Sequence, residues 1–466
     1  MLQNQSRVCR ITAEFSGEEA SRYPSSVFKR VCRVEGSERI LIFANQMQIE
    51  LRSPLRNSIF VVVSLVSAGL YLHLAQRAFR ASHLAVVPNS ANLLKAIQLE
   101  PTNAEYYDLL GRNLALSDSS LDDAIANYRI SVRLNPYVAR YWLDLAGAYQ
   151  IEGRTREQEE SVNRAVNADP TAPRVAWEAA NFYLVQGNLD KALRQFRIVL
   201  ANDPQAVASC LQLCWRVIGN EDRILDEVLP PRPDLYISFL QLLMSKQKTA
   251  AAKTVWDRLV GLNQPFSTQL AFPYFRFLIA QQEVAAAQTV WRQLALLDRS
   301  LGPYFPSEEN LIVNGGFEEN LLDGGFDWWY ESRPHVVLAI DTSEFHSGTR
   351  SLSITFDGQG APEAGISQFI PVKPNTEYEF SAEFKAEELE TASGPRFAIR
   401  DAYTPDSYVL TDDVMGTTPW RLQQSRFQTG PNTNLVLLKI VREPAAPLIR
   451  GKFWIDDLRL VEKRTR

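Results

Sequence analysis

Pro136, Pro170 and Pro204 stand 34 residues apart, and each closes a stretch carrying Ala, Tyr, Phe or Trp at helix-compatible offsets. A period of that length is the signature of stacked helix-turn-helix units. One such unit is too small to bury its own apolar face, so neighbours must stack, and the stack offers a surface for binding rather than a vessel for chemistry. Expectation therefore moves toward interaction and away from catalysis.

The first clear unit places Tyr107, Leu110, Gly111 and Leu114 on one helix and Ala124, Tyr128 and Pro136 on the next. The second supplies Trp142, Leu145, Ala146, Tyr149, Ala165 and Pro170, and the third Ala180, Tyr183, Gly187, Ala192, Phe196 and Pro204. Small residues let adjacent helices approach, an aromatic fills the gap that remains, and proline stops the second helix. In these positions the chain resembles the tetratricopeptide repeat family, which implies an α-helical solenoid with a groove for a protein partner. Leu99-Glu100-Pro101 reads as the tail of an earlier, partial unit. Past Pro204 the pattern weakens, yet Thr254-Val255-Trp256 returns 35 residues later as Thr289-Val290-Trp291. The array is expected over 89–301 as five or six units, with Pro230, Pro231 and Pro233 kinking it or resetting its register. Aromatics and leucines read as core, which leaves Asn113, Arg140, Asp144 and Asn181 as candidate contacts for a protein in the groove.

At 466 residues with 45% hydrophobic content the chain has enough for two or three packed domains. A net charge of −5 and the lack of a basic stripe give nucleic acid no electrostatic footprint. Four cysteines are too few and too scattered for a disulfide framework or a zinc site. Cys9 and Cys32 lie in a basic head, and Cys210 and Cys214 share one helix face as buried thiols.

Asn57 to Gln76 runs twenty residues without a formal charge. At about 1.5 Å per residue this spans roughly 30 Å, the thickness of a bilayer core. A transmembrane helix or signal anchor is expected over 57–77, with a cleaved signal-peptide core and a buried soluble helix as the other readings. Arg52 and Arg56 on one side balance Arg77 and Arg80 on the other, so flanking charge does not orient it. Residues 1–56 read as a short cytoplasmic tail or as a misplaced start, since Met47 opens an export-like sequence of its own.

After Pro306 the helical period stops, and short alternating runs such as Ser351 to Phe356, Tyr378 to Ala382 and Leu435 to Ile440 take over. Short strands punctuated by Gly and Pro predict an all-β jelly-roll sandwich over 308–463. Asn310-Leu311-Ile312-Val313-Asn314-Gly315-Gly316-Phe317-Glu318, Trp328, Ser347-Gly348-Thr349-Arg350-Ser351-Leu352, Ile370-Pro371-Val372 and Phe453-Trp454-Ile455-Asp456-Asp457-Leu458 follow in that order. Together they resemble the carbohydrate-binding jelly rolls of the family 4 and 9 type. The resemblance implies glycan bound through aromatic side chains and a structural Ca2+. Glu318, Asp456 and Asp457 are the candidate calcium ligands, because hard cations want several oxygens. Trp329, Tyr330, Tyr403, Tyr408 and Trp420 are the candidate sugar-stacking rings, with Tyr403 and Tyr408 expected to be exposed, and Trp328 and Trp454 are expected in the core.

No segment is left over to set two carboxylates across a sugar, and the four histidines are isolated. The expected protein is not an enzyme. It is a membrane-anchored scaffold displaying a carbohydrate-binding module, with its body in the bacterial periplasm, in envelope polysaccharide assembly or export. The alternative is a glycan-binding protein in which the repeats are only a spacer.

Overall fold

A computed structural model describes residues 54–116, 121–445 and 447–463. The expectations for the basic head before residue 54, with Cys9, Cys32 and Met47, lie outside the described residues. The described residues divide into two units between Leu74 and Ala75.

The first helix, α1 (Pro54–Ala85), is 32 residues long. Its stretch Asn57–Ala85 is long and apolar enough to cross a membrane, with its most apolar window unburied. Within the second unit the end of α1 changes character. There Ala81 is buried with Ala96 of α2 (Ser90–Leu99) and Tyr106 of α3 (Ala104–Leu116). Arg77 donates Nη2 to the Leu99 carbonyl at 2.6 Å, placing a cation where the helix dipole is negative and an end carbonyl lacks a partner. The partial unit signalled by Leu99-Glu100-Pro101 is thus α2 packed against the end of α1.

Hairpins follow in the expected register: α3 with α4 (Leu121–Leu134), α5 (Ala139–Ile151) with α6 (Thr155–Ala168), and α7 (Pro173–Val185) with α8 (Leu189–Asn202). Gly111 has the packing role read from the sequence, since a Cβ there would lie 2.7 Å from the Tyr128 ring. The prolines do more than stop helices. Tyr107 donates its hydroxyl to the Pro101 carbonyl at 3.1 Å, and Trp142 donates Nε1 to that of Pro136 at 2.8 Å. Gly153 and Gly187, both at φ 71°, turn each first helix into its second, a left-handed conformation that costs glycine little.

The proline cluster shortens one helix without breaking the stack. After α9 (Val207–Ile218) comes α10 (Glu221–Arg223), which runs into a π-helical turn at Ile224–Val228, and α11 (Pro233–Ser245) then starts on Pro233. Cys210 and Cys214 are buried on α9 as free thiols, and the Cys210 thiol is pushed up by its hydrogen bond to Cys214 and by burial. The array ends with α12 (Thr249–Gly261), α13 (Phe272–Ala280), α14 (Val284–Leu297) and a 3-10 turn at Arg299–Leu301. Trp256 and Trp291, the 35-residue pair, are both buried.

Among the described residues, ten antiparallel strands then form two five-stranded sheets. One has the order β1 (Trp329–Tyr330), β4 (Glu363–Pro371), β9 (Leu435–Val441), β6 (Arg396–Asp401), β7 (Ser407–Leu410). The other runs β2 (Val336–Asp341), β3 (Ser351–Gly360), β10 (Leu448–Glu462), β5 (Glu377–Thr391), β8 (Gly416–Gln428). Alternating burial along β4 and β5 sends every second side chain inward, where Trp328, Phe380, Ile399, Leu438 and Phe453 form the sandwich core. A second apolar core is continuous from Phe196 through Trp256 and Trp291 into Phe326, Trp329 and Leu435. Helical array and sandwich therefore share buried side chains.

Candidate functional site

Trp328 and Trp329 are neighbours with opposite destinations, as strand alternation requires. Trp328 points into the sandwich, stacked 5.3 Å from Phe317, with Nε1 donating to the Asn314 carbonyl at 3.0 Å. Trp329 points outward but stays 92% covered, because α13 lies over it. Its ring is 6.3 Å from Phe275, and the Arg276 guanidinium sits 4.3 Å from its centroid. Phe326 meets Phe275 edge-on at 4.8 Å. Gly324 and Gly325 permit this approach: a Cβ at either would collide with the ring of Phe272 or of Trp291, and Gly325 also holds φ 62°. The sequence analysis missed this Gly-Gly pair, although two glycines ahead of two tryptophans are a signal for close backbone approach.

The five candidate rings do not converge. Trp329 is removed from the sugar-contact set by α13. Tyr403, expected exposed, is half-buried at the same junction and donates its hydroxyl to the Ile279 carbonyl of α13 at 2.9 Å. Tyr408 is also half-buried, stacked 5.5 Å from Phe427, with its hydroxyl 2.5 Å from Thr433 Oγ1 and accepting from the Gly430 amide. Both were expected exposed because their loop is polar, and both instead spend their hydroxyls internally. Trp420 lies on β8, half-buried, its ring 5.8 Å from His346. Tyr330 is 48% exposed on β1. It lines three depressions of about 470, 370 and 300 Å³, and the largest is also lined by Arg276.

The three candidate calcium ligands gather on one loop, 345–350. A bulge in β10 after Asp456, with Asp457 at φ 49°, sends two successive acids to different places. Asp456 is buried and accepts from the amides of His346 (2.8 Å), Ser347 (3.1 Å) and Asp457 (2.7 Å). Asp457 accepts from Ser347 Oγ at 2.8 Å and lies 2.7 Å from His346 Nδ1. Glu318 takes the amides of Thr349 (2.8 Å) and Arg350 (3.1 Å) and the Thr349 hydroxyl (2.7 Å). Burial pushes the Asp456 carboxyl up, whereas the donated amide and hydroxyl of Thr349 hold Glu318 down. These carboxylates already have donors, and among the described residues no three His, Cys, Asp or Glu side chains group to hold a metal. The side chains by themselves do not supply a calcium donor set, and an ion there would need main-chain carbonyls.

The four candidate protein contacts also divide. Asn113 accepts from Ser90 Oγ at 2.5 Å and donates to the Pro88 carbonyl at 3.1 Å, tying the partial unit to the first full one. Asn181 donates to the Trp177 carbonyl one turn back. Arg140 and Asp144 belong to an ionic cluster between α3 and α5. Asp108 is fully buried, 3.3 Å from Arg112 and 3.5 Å from Arg140, while Arg112 also pairs with Asp144 and Arg140 lies 3.6 Å from Glu105. Burial and the nearby Asp144 push the Asp108 carboxyl up to about 7, against the pull of the two arginines. All four have partners inside the protein, although the Nε of Arg140 is buried without a hydrogen bond.

Residues 309–447 match the carbohydrate binding domain family model. The C-terminal module is therefore a carbohydrate-binding-type β-sandwich, and it follows an array of helical hairpins. Among solved structures, the chain is similar to one titled CBM4 structure and function (16% identity, 33% of this chain and 99% of that one, TM-score 0.26). It is also similar to the CBM22-1 xylan-binding domain of Paenibacillus barcinonensis Xyn10C (18% identity, 33% and 94%, TM-score 0.25). For the helical part there is likeness to a crystal structure of MamA (15% identity, 37% and 86%, TM-score 0.24). No curated protein matches the chain.

Proposed function

We propose that the chain is a non-catalytic scaffold held in a bacterial inner membrane by α1. In this reading its helical repeats take a protein partner and its carbohydrate-binding domain takes a glycan in the periplasm, in envelope polysaccharide assembly or export. The observation that carries it is the joining of a carbohydrate-binding domain to a repeat array behind a helix of spanning length. Tyr330 is the ring best placed to stack on a pyranose face, because it alone among the five candidates is both exposed and central to the depressions.

The spacer reading is weaker, because α13 contributes a wall to the largest depression instead of merely holding the module at a distance. Two experiments test the proposal. Alkaline phosphatase fused after Arg466 should be active in cells, and an inactive fusion removes the periplasmic body. A glycan array probed with the full chain in detergent micelles should give saccharide binding that Tyr330→Ala weakens, and an array without signal ends the glycan reading. Calcium is part of the proposal as a structural ion at Glu318 with Asp456 or Asp457, completed by main-chain carbonyls. A melting temperature identical in EDTA and in millimolar calcium would discard the ion.

A further inference from the structure

We infer that the depression between α13 and β1 is a composite binding site for a carboxylate-bearing saccharide, shared by the repeat array and the sandwich. The inference rests on the glycan reading above and adds the ligand class and a helical residue that selects it.

The charges around the depression decide the class. Glu363 is paired with Arg333 and, at 3.1 Å, with Lys439, and Glu331 lies 2.8 Å from Arg333. Asp323 accepts the Tyr330 amide at 3.1 Å, leaving lone pairs for a sugar hydroxyl. Arg276 is the cation of this lining that makes no ion pair among the described residues; its guanidinium instead sits 4.3 Å from the centroid of the Trp329 ring. The indole holds the guanidinium in the lining, and its planar fork matches a carboxylate in two parallel hydrogen bonds. In the same depression the Tyr330 ring offers the apolar face that a pyranose stacks on.

Both walls are held in place without a ligand. The Tyr403 hydroxyl grips the carbonyl of Ile279, one turn after Arg276 on α13. Trp329 Nε1 donates to the Gly325 carbonyl at 2.9 Å, locking the indole under the guanidinium. A ligand meeting Arg276 and Tyr330 together therefore finds them preorganised, and little ordering cost remains to weaken binding.

Calorimetry on the full chain in detergent micelles, with a hexagalacturonate and a neutral cellohexaose as probes, tests the site. The uronate should bind more tightly, and Arg276→Gln should weaken it about tenfold, as expected for a lost charged hydrogen bond, while leaving the neutral probe unchanged. Arg276→Lys should recover only part of the affinity, since an ammonium does not reproduce the fork. Tyr330→Ala should weaken whatever binds. Arg276 is exposed, so an unchanged melting temperature will show that the fold survives. Equal affinity for both probes, or uronate binding indifferent to Arg276→Gln, overturns the inference and leaves the glycan reading standing. A chain that binds neither probe overturns both.

Discussion

The two ends of the helical array are built from different physics. Between α3 and α5 the contact contains Asp108, Arg112, Arg140 and Asp144, a partly buried ionic cluster beside a small apolar core around Tyr128 and Leu145. Between α13 and the sandwich the contact is mainly aromatic: Phe275, Trp291, Phe326 and Trp329, closed by two glycines. Buried charges need partners and respond to pH, whereas apolar area removed from water does neither. The first end is thus held largely by groups that respond to solution conditions, and the second largely by apolar area with one buried carboxyl, Asp327, beside it.

The sharpest way to break that contrast is Trp291→Ala. It should cost about 3–5 kcal/mol and split one cooperative melting transition into two, read by calorimetry on the full chain; a single unshifted transition would show that the joint is not a shared core. Gly325→Ala should follow with about 1–3 kcal/mol, because the methyl overpacks the Trp291 ring. Chemical denaturation checks it, and an unchanged midpoint contradicts the close approach.

Next comes the ionic end. The folded Asp108 carboxyl is raised to about 7 from an ordinary 3.8, so between these values the native state holds more protons than the unfolded one. Its contribution to stability is fully present below about pH 4 and is lost as pH rises through about 7. Asp108→Asn should flatten that fall in melting temperature across the window, and an unaltered slope would assign the pH response elsewhere. Asp327, buried at the joint and likewise raised to about 7 by burial, supplies the internal comparison: Asp327→Asn should flatten the same fall independently of Asp108→Asn. The smallest effect belongs to His346. The hydrogen bond His346 donates to Asp457 raises its pKa, so this staple is complete below about pH 6.5 and weakens as pH climbs past the folded value. His346→Gln should change stability by less than about 1 kcal/mol, measurable as a small shift in melting midpoint at pH 6 and none at pH 9.

Much of the fold was legible because its signals are periodic. Gly111, Tyr128, Trp142 and the prolines occupy their repeat positions in the structure, and the strands around Ser351, Tyr378 and Leu435 stand where alternation put them. The site was legible only in part. Composition marks Tyr403 and Tyr408 as loop residues but says nothing of the Ile279 carbonyl or Thr433 hydroxyl that absorbs them. Nothing local in α13 marks Arg276, an ordinary charged residue on an ordinary helix.

By itself the sequence determined the element types and their order: hairpins at a period of 34, then alternating strands, behind a helix of spanning length. Local propensity, helix periodicity and strand alternation are properties of neighbours along the chain. Only tertiary structure decided that Trp329 is covered by α13, that array and sandwich share a core, and that Arg276 and Tyr330 line one depression. Those outcomes depend on residues some fifty positions or more apart being pressed together, and the close approach that does it becomes possible only where Gly324 and Gly325 leave room for two aromatic rings.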